Sequence, residues 1–468
     1  MTNTVIRLPR AASVRRRQQG VQSMQTPVFH GDVDTLVARL RPAHPVYILR
    51  PDMIEDTARH FRRVFAGRPM YAVKTNPHEA VIAALLRGGF DAFDVASLEE
   101  VRIVRRLSST ATLYFMHPVK APEAIRTAYN RYGVRAFVLD CEDELHKILR
   151  ETDYAKDLTL FVRVALPKST KSAIDFSSKF GASPEEAAHL LALARPFAKT
   201  LGMSFHVGTQ ISAAQAYAKG VACAAGIMDV CGFRVDALDV GGGFPVPYPG
   251  QEDVPSLEDC TAAIADAVAA HGLGDIPLLA EPGRYMVALA GSLIARVELR
   301  KRDILYINDG TYGGLFDAGA QLNQRFPVRA IRAGTAGVMG GAFSPAPLSH
   351  GAPSFGGGEN GAVELRDFSF AGPTCDSLDM MEGPFCLPSD IAMGDWIEIQ
   401  HAGAYSACTR TNFNGFGTSE TVCLYDDAGA PKPPLVKTAL NKGKTAHDHT
   451  AQNRRKIARK QPQGIAAE

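Results

Sequence analysis

The sequence lacks the features of a membrane-spanning or disulfide-stabilised protein. No uncharged apolar run reaches the roughly 18 residues that a membrane helix needs, and no secretory leader is visible. The eight cysteines form no CxxC pair and no regular framework, which argues against zinc ligands and structural disulfides. We therefore expect a cytoplasmic protein with free thiols, no metal site and no membrane contact.

Strong charge of one sign is absent overall but not at the ends. The net charge is only +2, yet residues 1–20 carry five arginines and no acid, and residues 429–468 carry nine Lys or Arg against two acids. Both ends lack interleaved aromatics and helical apolar periodicity, so we expect residues 1–24 and 429–468 to be basic, solvated and disordered. The acidic remainder favours a cationic small substrate, and no nucleic-acid partner is expected.

The rest of the chain has the composition of a globular protein, with 46% apolar and 21% charged residues. From Pro45 to Gly283, short apolar runs alternate with helix-like stretches, as in βα units around a parallel sheet. Eight strands are predicted: Tyr71–Lys74, Ala92–Ala96, Thr112–Met116, Arg135–Leu139, Leu158–Ala165, Met203–Val207, Asp236–Val240 and Leu278–Glu281. Eight such repeats predict an α/β fold with a (β/α)8 TIM-like barrel over residues 45–287. A doubly wound open sheet is the alternative, because counting strands does not prove closure.

After about Val287 the alternation of strands and helices stops. The predicted strands are Ser292–Glu298, Ile304–Ile307, Val328–Ile331, Val363–Phe370, Trp396–Gln400 and Thr421–Leu424. This pattern predicts a second, mostly antiparallel β domain over residues 288–428. We expect the upstream strand Val46–Arg50 to join it, and the Gly/Ser-rich stretch 341–361 to form a long loop.

Titratable residues and glycines cluster where the predicted barrel strands end. They are Lys74, Asp94, His117, Asp140, Arg163, His206, Gly241–Gly243, Glu281 and Arg284. Reactive groups of a barrel enzyme belong at the carboxyl ends of its strands. Because packing requires none of these residue types at a rim, the pattern indicates an active site.

Three of these groups together indicate a pyridoxal phosphate site. Lys74 ends an apolar strand, where partial desolvation would lower the pKa of its amine and favour a Schiff base. Gly241–Gly243 would let backbone N–H groups approach a phosphate, and Glu281 could keep a pyridine nitrogen protonated. Lys74 and the glycines also have structural interpretations, as a strand-end lysine and as a turn, so the combination carries the argument.

Several ordered motifs carry a resemblance to a known family. The chain resembles the barrel-type ornithine/diaminopimelate/arginine decarboxylases, which share their fold with alanine racemase, and it is most similar to the ornithine/lysine members. The match runs from about Val46 to Phe416 through YAVKTN, FDVASLEEV, HVGTQ, DVGGGFP, EPGRYMVA, NDGTYGG, GPTCDSLD, GAYS and FNGF. The resemblance implies pyridoxal 5'-phosphate (PLP) as cofactor and decarboxylation of L-ornithine to putrescine, with lysine or diaminopimelate as alternative substrates.

The resemblance also implies roles for individual residues. Lys74 would form the Schiff base, His206 would stack on the cofactor ring, and Glu281 would pair with the pyridine nitrogen. Supporting residues and phosphate contacts would be Asp94, Arg163, Thr209, Gly242, Gly243, Arg284 and Tyr405. Cys375 would donate a proton to Cα and Asp376 would bind the distal ammonium, both in the site of the other subunit, so a homodimer with shared active sites is implied.

One departure from the family's pattern concerns the substrate. Ornithine decarboxylases usually have a further Asp a little after the segment that matches NDGTYGG. Here Asp317 arrives early, and Gln321 or Asn323 stands nearer the expected place. Either the loop is rearranged or the second carboxylate is missing, and a missing carboxylate would change or weaken binding of the distal amine.

Two alternatives follow from the same motifs. Diaminopimelate decarboxylases typically have Cys-Glu-Ser where this chain has Cys375, Asp376 and Ser377, and the shorter aspartate suits a simple ammonium better. A catalytically inactive regulatory homologue is the alternative from a different class. Such proteins tend to lose the lysine or the cysteine, whereas Lys74 and Cys375 are both present here.

Overall fold

Two sheets organise the part of the chain that the computed structural model describes, namely residues 26–166, 179–333 and 364–426. One sheet is parallel, and the other is mixed and mostly antiparallel. The terminal segments and the loop at 341–361 on which we made predictions lie outside the described residues. The domain boundaries at residues 45, 287 and 428 stay predictions.

The parallel sheet returns to its first strand. Its strands are Arg68–Pro69, Tyr71–Ala72, Ala92–Val95, Thr112–Phe115, Ala136–Leu139, Thr159–Val164, Thr200–Phe205, Ala237–Asp239 and Leu278–Ala280. The first two are halves of one extended stretch interrupted at Met70, whose N–H donates to the Ala280 carbonyl at 2.7 Å. One half pairs with Leu278–Ala280 and the other with Ala92–Val95. The predicted (β/α)8 barrel is therefore confirmed over the open sheet.

Helices cover the outside of this barrel. Their bounds are Pro51–Val64, Glu79–Arg87, Leu98–Leu107, Pro122–Tyr132, Glu142–Glu151, Pro184–Ala194, Gln215–Cys231 and Leu257–Ala270. Their starts follow from local sequence: Pro51 and Pro122 occupy first helical positions, and the Ser183 and Ser256 hydroxyls accept N–H bonds in capping boxes. Among the described residues, no helix combines the length and apolar character that crossing a membrane requires.

The second sheet is organised around the long strand Gly291–Lys301. Its other strands are Val28–His30, Val46–Leu49, Ile304–Ile307, Val328–Ile331, Leu365–Ala371, Met380–Pro388, Trp396–Ile399 and Glu420–Tyr425. Gly291–Lys301 pairs antiparallel with Val46–Leu49, which places that upstream strand in this sheet. The sequence analysis missed Met380–Pro388, because Gly383 and Pro384 interrupt the strand pattern there.

Alternation along the barrel strands separates two apolar layers. Phe93, Phe115 and Phe137 are buried in the large cluster that includes the surrounding helices. Residues next in sequence to these phenylalanines, or to other members of the large cluster, form a separate cluster inside the barrel: Met70, Ala92, Tyr114, Met116, Ala136, Val138, Phe161, Ala237 and Leu279. This two-residue period decides which side chains at the strand ends point into the barrel.

Candidate active site

Because alternate residues of each strand point into the barrel, three acidic side chains and one arginine meet at one end of it. Each stands two residues after a member of the interior cluster, so its side chain continues the interior column of its strand. The four are Asp94 after Ala92, Arg163 after Phe161, Asp239 after Ala237 and Glu281 after Leu279. The barrel interior therefore ends in a polar layer that lies over an apolar one.

Lys74 enters this layer from the first strand. A one-turn 3-10 helix, Val73–Thr75, follows the strand and places Nζ 2.8 Å from Asp94 Oδ2. The Asp94 side chain is 1% exposed and the Lys74 side chain is 44% exposed, so the lysine lies at the open mouth of the layer. Asp94 Oδ1 is buried and has no hydrogen-bond partner among the described residues.

The predicted lowering of the Lys74 pKa is wrong. Burial does lower this pKa, as expected, but attraction by Asp94 and then Glu281 outweighs burial and raises the pKa above its ordinary value of 10.5. The sequence shows that the lysine ends a strand, whereas the pKa depends on carboxylates that barrel closure brings from two other strands. Without a ligand, the amine is therefore charged at neutral pH.

Asp239 is a site residue that the sequence analysis missed. It is completely buried, and its Oδ1 accepts the Gly241 N–H at 2.9 Å. Burial and the neighbouring Glu281 raise the pKa of Asp239 well above its usual value, while burial and then Asp94 raise the pKa of Glu281. Both carboxyl groups therefore favour the protonated form more than an exposed acid does. The available signal was an acid in DVGGGFP, at the end of an apolar strand and just before the glycines.

His206 is held as a neutral ring against the glycine segment. The Gly208 N–H donates to His206 Nδ1 at 3.1 Å, so the single ring proton of the neutral form resides on Nε2. Burial, and then the charges of Arg163 and Lys74, lower the pKa of His206 well below its usual value. A Cβ on Gly242 would lie 3.0 Å from Nε2 and 2.7 Å from the Glu281 carbonyl. Only glycine fits there without displacing one of them.

Gly241 and Gly243, the other two glycines of this segment, adopt backbone conformations that residues with a side chain disfavour. Gly241 and Gly243 have φ angles of +72° and +98°. The loop that carries the half-buried Thr209 runs beside Gly243, and the Ile211 N–H donates to the Gly243 carbonyl at 3.4 Å. The Gln210 amide exchanges two hydrogen bonds with the Val246 backbone, at 2.8 and 2.9 Å. The segment is thus a fixed, glycine-lined surface whose backbone N–H groups can bind an anion.

Arg284 and Tyr405 lie together at the edge of this region. The Tyr405 N–H donates to the carbonyl of Thr75 at 2.9 Å. Because Thr75 directly follows Lys74 in the chain, this bond anchors Tyr405 close to the lysine. The Arg284 guanidinium lies 5.0 Å from the centroid of the Tyr405 ring. Its Nη2 is 2.9 Å from Asp317 Oδ2 and its Nη1 is 3.2 Å from the Tyr248 hydroxyl, while its buried Nε has no partner among the described residues.

The geometry also places the residues of the divergent loop. Asp317 is 6% exposed and forms the ion pair with Arg284. Gln321 and Asn323 are exposed. The Asp317 carboxylate therefore faces Arg284, a residue predicted to bind the cofactor phosphate, and the arginine already compensates its negative charge.

Cys375 and Asp376 form a second cluster, which belongs to the mixed sheet. The Tyr312 hydroxyl donates to Asp376 Oδ2 at 2.5 Å, and the Cys375 Sγ lies 3.3 Å from Asn414 Oδ1. The Leu378 N–H and then the Tyr312 hydroxyl hold the pKa of Asp376 below its usual value, so this acid is ionised. Cys375 is exposed and Asp376 is partly exposed, and no hydrogen bond or ion pair within the described ranges joins either of them to Lys74.

A buried acid fixes the loop that carries this cluster. Asp379 accepts the backbone N–H and hydroxyl of Thr311, at 2.7 and 3.0 Å, and those of Thr374, at 3.1 and 2.8 Å. A Cβ at Gly310 would lie 2.1 Å from Asp379 Oδ1. The motifs NDGTYGG and GPTCDSLD are therefore joined around one carboxylate, which the sequence analysis did not identify.

The first cluster has the parts that pyridoxal phosphate requires. Lys74 supplies an amine, Glu281 a carboxylate, and Gly242 and Gly243 a surface that a Cβ would fill. Asp94 Oδ1 and Arg284 Nε are buried polar atoms without partners among the described residues, and an incoming ligand could satisfy them. The described residues include no group of three or more side chains suited to a metal ion.

Comparisons with known proteins agree with this arrangement. Residues 52–288 match the model of the pyridoxal-dependent decarboxylase family, pyridoxal binding domain. Ornithine decarboxylase of Schizosaccharomyces pombe is 32% identical over 375 residues, which cover 77% of this chain and 78% of the relative. The crystal structure of lysine/ornithine decarboxylase from Vibrio vulnificus, complexed with putrescine, superposes with a TM-score of 0.67 at 28% identity, covering 84% of this chain and 97% of that one. Antizyme inhibitor 2 of Xenopus laevis is 30% identical, with 79% and 78% of the two chains covered.

Proposed function

This chain belongs to the pyridoxal-dependent decarboxylase family, and from that premise we propose that it decarboxylates a basic L-amino acid, with L-ornithine first and L-lysine second. The products would be carbon dioxide and a diamine, putrescine from ornithine, which places the reaction in polyamine biosynthesis. One observation carries the substrate class: Asp376 is ionised and partly exposed beside the exposed Cys375 thiol. An anion next to a proton donor suits a substrate with a distal ammonium.

The residues at the barrel end would hold the cofactor. Bound pyridoxal phosphate supplies the electron sink for the electron pair that remains when carbon dioxide departs. Lys74 would bind it covalently through Nζ, and Glu281 would accept a hydrogen bond from the ring nitrogen, with Asp239 supporting that carboxylate. Because His206 is neutral, it can lie against the ring without opposing the ring's positive charge. Asp94 and Arg163 would balance charge around the ring.

The phosphate group would lie at the glycine segment. Gly242 and Gly243 offer backbone N–H groups, and Thr209 stands on the loop beside them. Arg284 would add a charge-assisted hydrogen bond and Tyr405 a hydroxyl. These assignments rest on the adjacency of the glycine segment, the Thr209 loop and the Arg284–Tyr405 contact.

We infer a homodimer in which each subunit completes the site of the other. Cys375 is exposed and Asp376 is partly exposed on their own chain, although their chemistry requires an enclosed substrate. Apolar side chains around them are also exposed, including Leu378, which is 71% exposed, and Phe413 and Phe416. Exposed apolar groups next to reactive ones are typical of an interface that a partner covers. A second copy would bring Cys375 to a barrel end that contains Lys74.

The Asp317–Arg284 ion pair bears on substrate length. Since Asp317 is buried against a cation, Asp376 would be the carboxylate left for the distal ammonium. A single charge-assisted hydrogen bond fewer costs about 1.5–3 kcal/mol. We therefore expect looser discrimination between ornithine and lysine than a site with two free carboxylates would give.

A cytoplasmic location is part of the proposal. All eight cysteines lie in the described residues and none forms a disulfide. Unpaired thiols of this number suit a reducing compartment.

An inactive regulatory protein is the second candidate, and the similarity to an antizyme inhibitor favours it. Against it, Lys74 faces Asp94 in a formed ion pair, and Cys375 and Asp376 stand on an ordered loop. A protein that only binds a partner requires neither feature.

The test is carbon dioxide release from PLP-loaded protein offered L-ornithine, L-lysine, L-arginine and meso-diaminopimelate in parallel, with products identified by mass spectrometry. We expect putrescine from ornithine and less cadaverine from lysine. Release from none of the four substrates by a protein that binds PLP covalently would favour the regulatory candidate. Release from diaminopimelate alone would contradict the role of Asp376.

A further inference from the structure

We propose that Asp317 is a positioning residue that fixes the Arg284 guanidinium so that its unpartnered Nε–H serves the cofactor phosphate. The inference rests on the proposed phosphate role of Arg284 and adds to it a residue outside the phosphate contacts themselves. Asp317 would act only through Arg284.

The contacts of the guanidinium leave one of its three nitrogens without a partner among the described residues. A guanidinium has five N–H donors in a rigid plane. Asp317 Oδ2 occupies Nη2 at 2.9 Å, and the Tyr248 hydroxyl occupies Nη1 at 3.2 Å. Both partners are buried. Each outer nitrogen thus has a partner, and Nε is the one nitrogen of the guanidinium that is buried without any partner among the described residues.

Aromatic rings further limit rotation of the guanidinium. The guanidinium carbon lies 5.0 Å from the centroid of the Tyr405 ring and 5.8 Å from that of Tyr248, within the range of cation–π attraction. Tyr248 is itself fixed, since its hydroxyl lies 3.3 Å from the His401 carbonyl. The plane is therefore defined by two hydrogen bonds and two rings.

Asp317 can act as a fixed point because its own backbone is anchored. It lies in the 3-10 helix Phe316–Ala318, and its carbonyl accepts the Gln324 N–H at 2.8 Å. The carboxylate also balances the Arg284 charge before any phosphate arrives, which removes the cost of an uncompensated buried cation. An acid at this place is thus suited to hold a phosphate-binding arginine in a ready orientation.

The experiment compares binding of PLP with binding of pyridoxal, which lacks the phosphate, to the full-length protein. The dissociation constant for pyridoxal divided by that for PLP measures phosphate recognition separately from ring binding. We expect the ratio to fall about tenfold in D317A, because one charge-assisted hydrogen bond loses its alignment. D317N keeps an oxygen acceptor in the same place, and we expect it to retain the wild-type ratio within about threefold.

Two further variants make the result decisive. Y248F frees the other outer nitrogen with little change in volume, and we expect a fall of roughly threefold in the same ratio. D275A removes an exposed Asp–Arg pair on the barrel, with Arg234 Nη2 at 2.7 Å, and should leave the ratio unchanged. Thermal unfolding of each cofactor-free variant shows whether it folds, and Y248F carries the test if D317A does not.

The outcomes separate the inference from the proposed function. Equal weakening of PLP and pyridoxal in D317A, with Y248F at the wild-type ratio, would show a structural role only and overturn the inference. Loss of the ratio in D317N but not in Y248F would assign the effect to charge and also overturn it. A wild-type protein without preference for PLP over pyridoxal would refute the phosphate role of Arg284, and the inference with it.

Discussion

At the barrel end, Lys74 meets an acid that is 1% exposed, and Asp94, Asp239 and Glu281 lie together inside one chain. On the mixed sheet, Cys375 is exposed and Asp376 is partly exposed, although Asp379 and Tyr312 hold their loop in a defined conformation. The first region is assembled from side chains of a single chain, whereas the second is ordered but open. From this difference we expect that mutations can separate cofactor binding from substrate chemistry.

Replacing Lys74 should have the largest effect. K74A and K74R should both lose the visible absorbance of covalently bound PLP and reduce carbon dioxide release by on the order of 10^4-fold. K74R keeps a cation opposite Asp94, so we expect its thermal stability to stay near that of the wild type, whereas K74A leaves a buried acid unpaired. A K74R protein that retained the absorbance band would contradict the assignment of this lysine.

Replacing Asp379 should damage the open region alone. D379A removes the acceptor that joins Thr311 and Thr374, so the loop that carries Cys375 should shift. A misplacement of about 1 Å can cost about 10^2-fold in kcat, while the dissociation constant for PLP should not change. D303A, which removes an exposed ion pair with Arg366 in the same sheet, is the control. Equal loss of PLP binding in D379A would show that the two regions are not separable.

The pH dependence of covalent PLP capture tests the barrel end by itself. Because Asp94 and Glu281 raise the pKa of Lys74 above 10.5, the neutral amine is a minor form that increases about tenfold per pH unit. Stopped-flow absorbance should show a capture rate that rises with pH and does not level off below pH 10.5. D94N should lower that pKa and shift the levelling to lower pH. A capture rate that levels off near pH 8 in the wild type would instead support the lowered Lys74 pKa that the sequence predicted.

The smallest effect is expected from Tyr312. Y312F removes the hydroxyl that lies 2.5 Å from Asp376 Oδ2, so the pKa of Asp376 should rise toward its usual value. The acid stays ionised at neutral pH but is less well oriented, and KM for ornithine should rise roughly 2–10-fold with little change in kcat. Y129F, which removes an exposed hydroxyl 2.9 Å from Asp157 on the barrel, should leave both constants unchanged.

Much of the fold could be predicted because strand identity is a local property. All eight barrel strands were found, since each is a short apolar run with β-branched or aromatic residues between helical stretches. Closure of the sheet could not be derived, because it depends on both edges of the short stretch around Met70. Met380–Pro388 was missed for the opposite reason, since its own sequence contains a glycine and a proline.

The sequence allowed candidate site residues to be placed at strand ends, but it did not allow their charge states to be derived. The residues at strand ends were identifiable because a barrel places them at one rim. The pKa of Lys74, the acid pair of Asp239 with Glu281, and the contact of Asp317 with Arg284 depend on distances between segments that are far apart in sequence. These properties became visible only when the strands were placed side by side.

The measurement that tests the central claim most directly is complementation between two inactive variants. K74A lacks the lysine of the barrel end, and C375A lacks the thiol of the open loop. If each active site takes its two halves from different subunits, coexpression should recover about a quarter of the wild-type carbon dioxide release, because half of the dimers are mixed and each mixed dimer has one intact site. Mixed dimers, verified by two affinity tags, that release no more carbon dioxide than either variant alone would contradict the shared site.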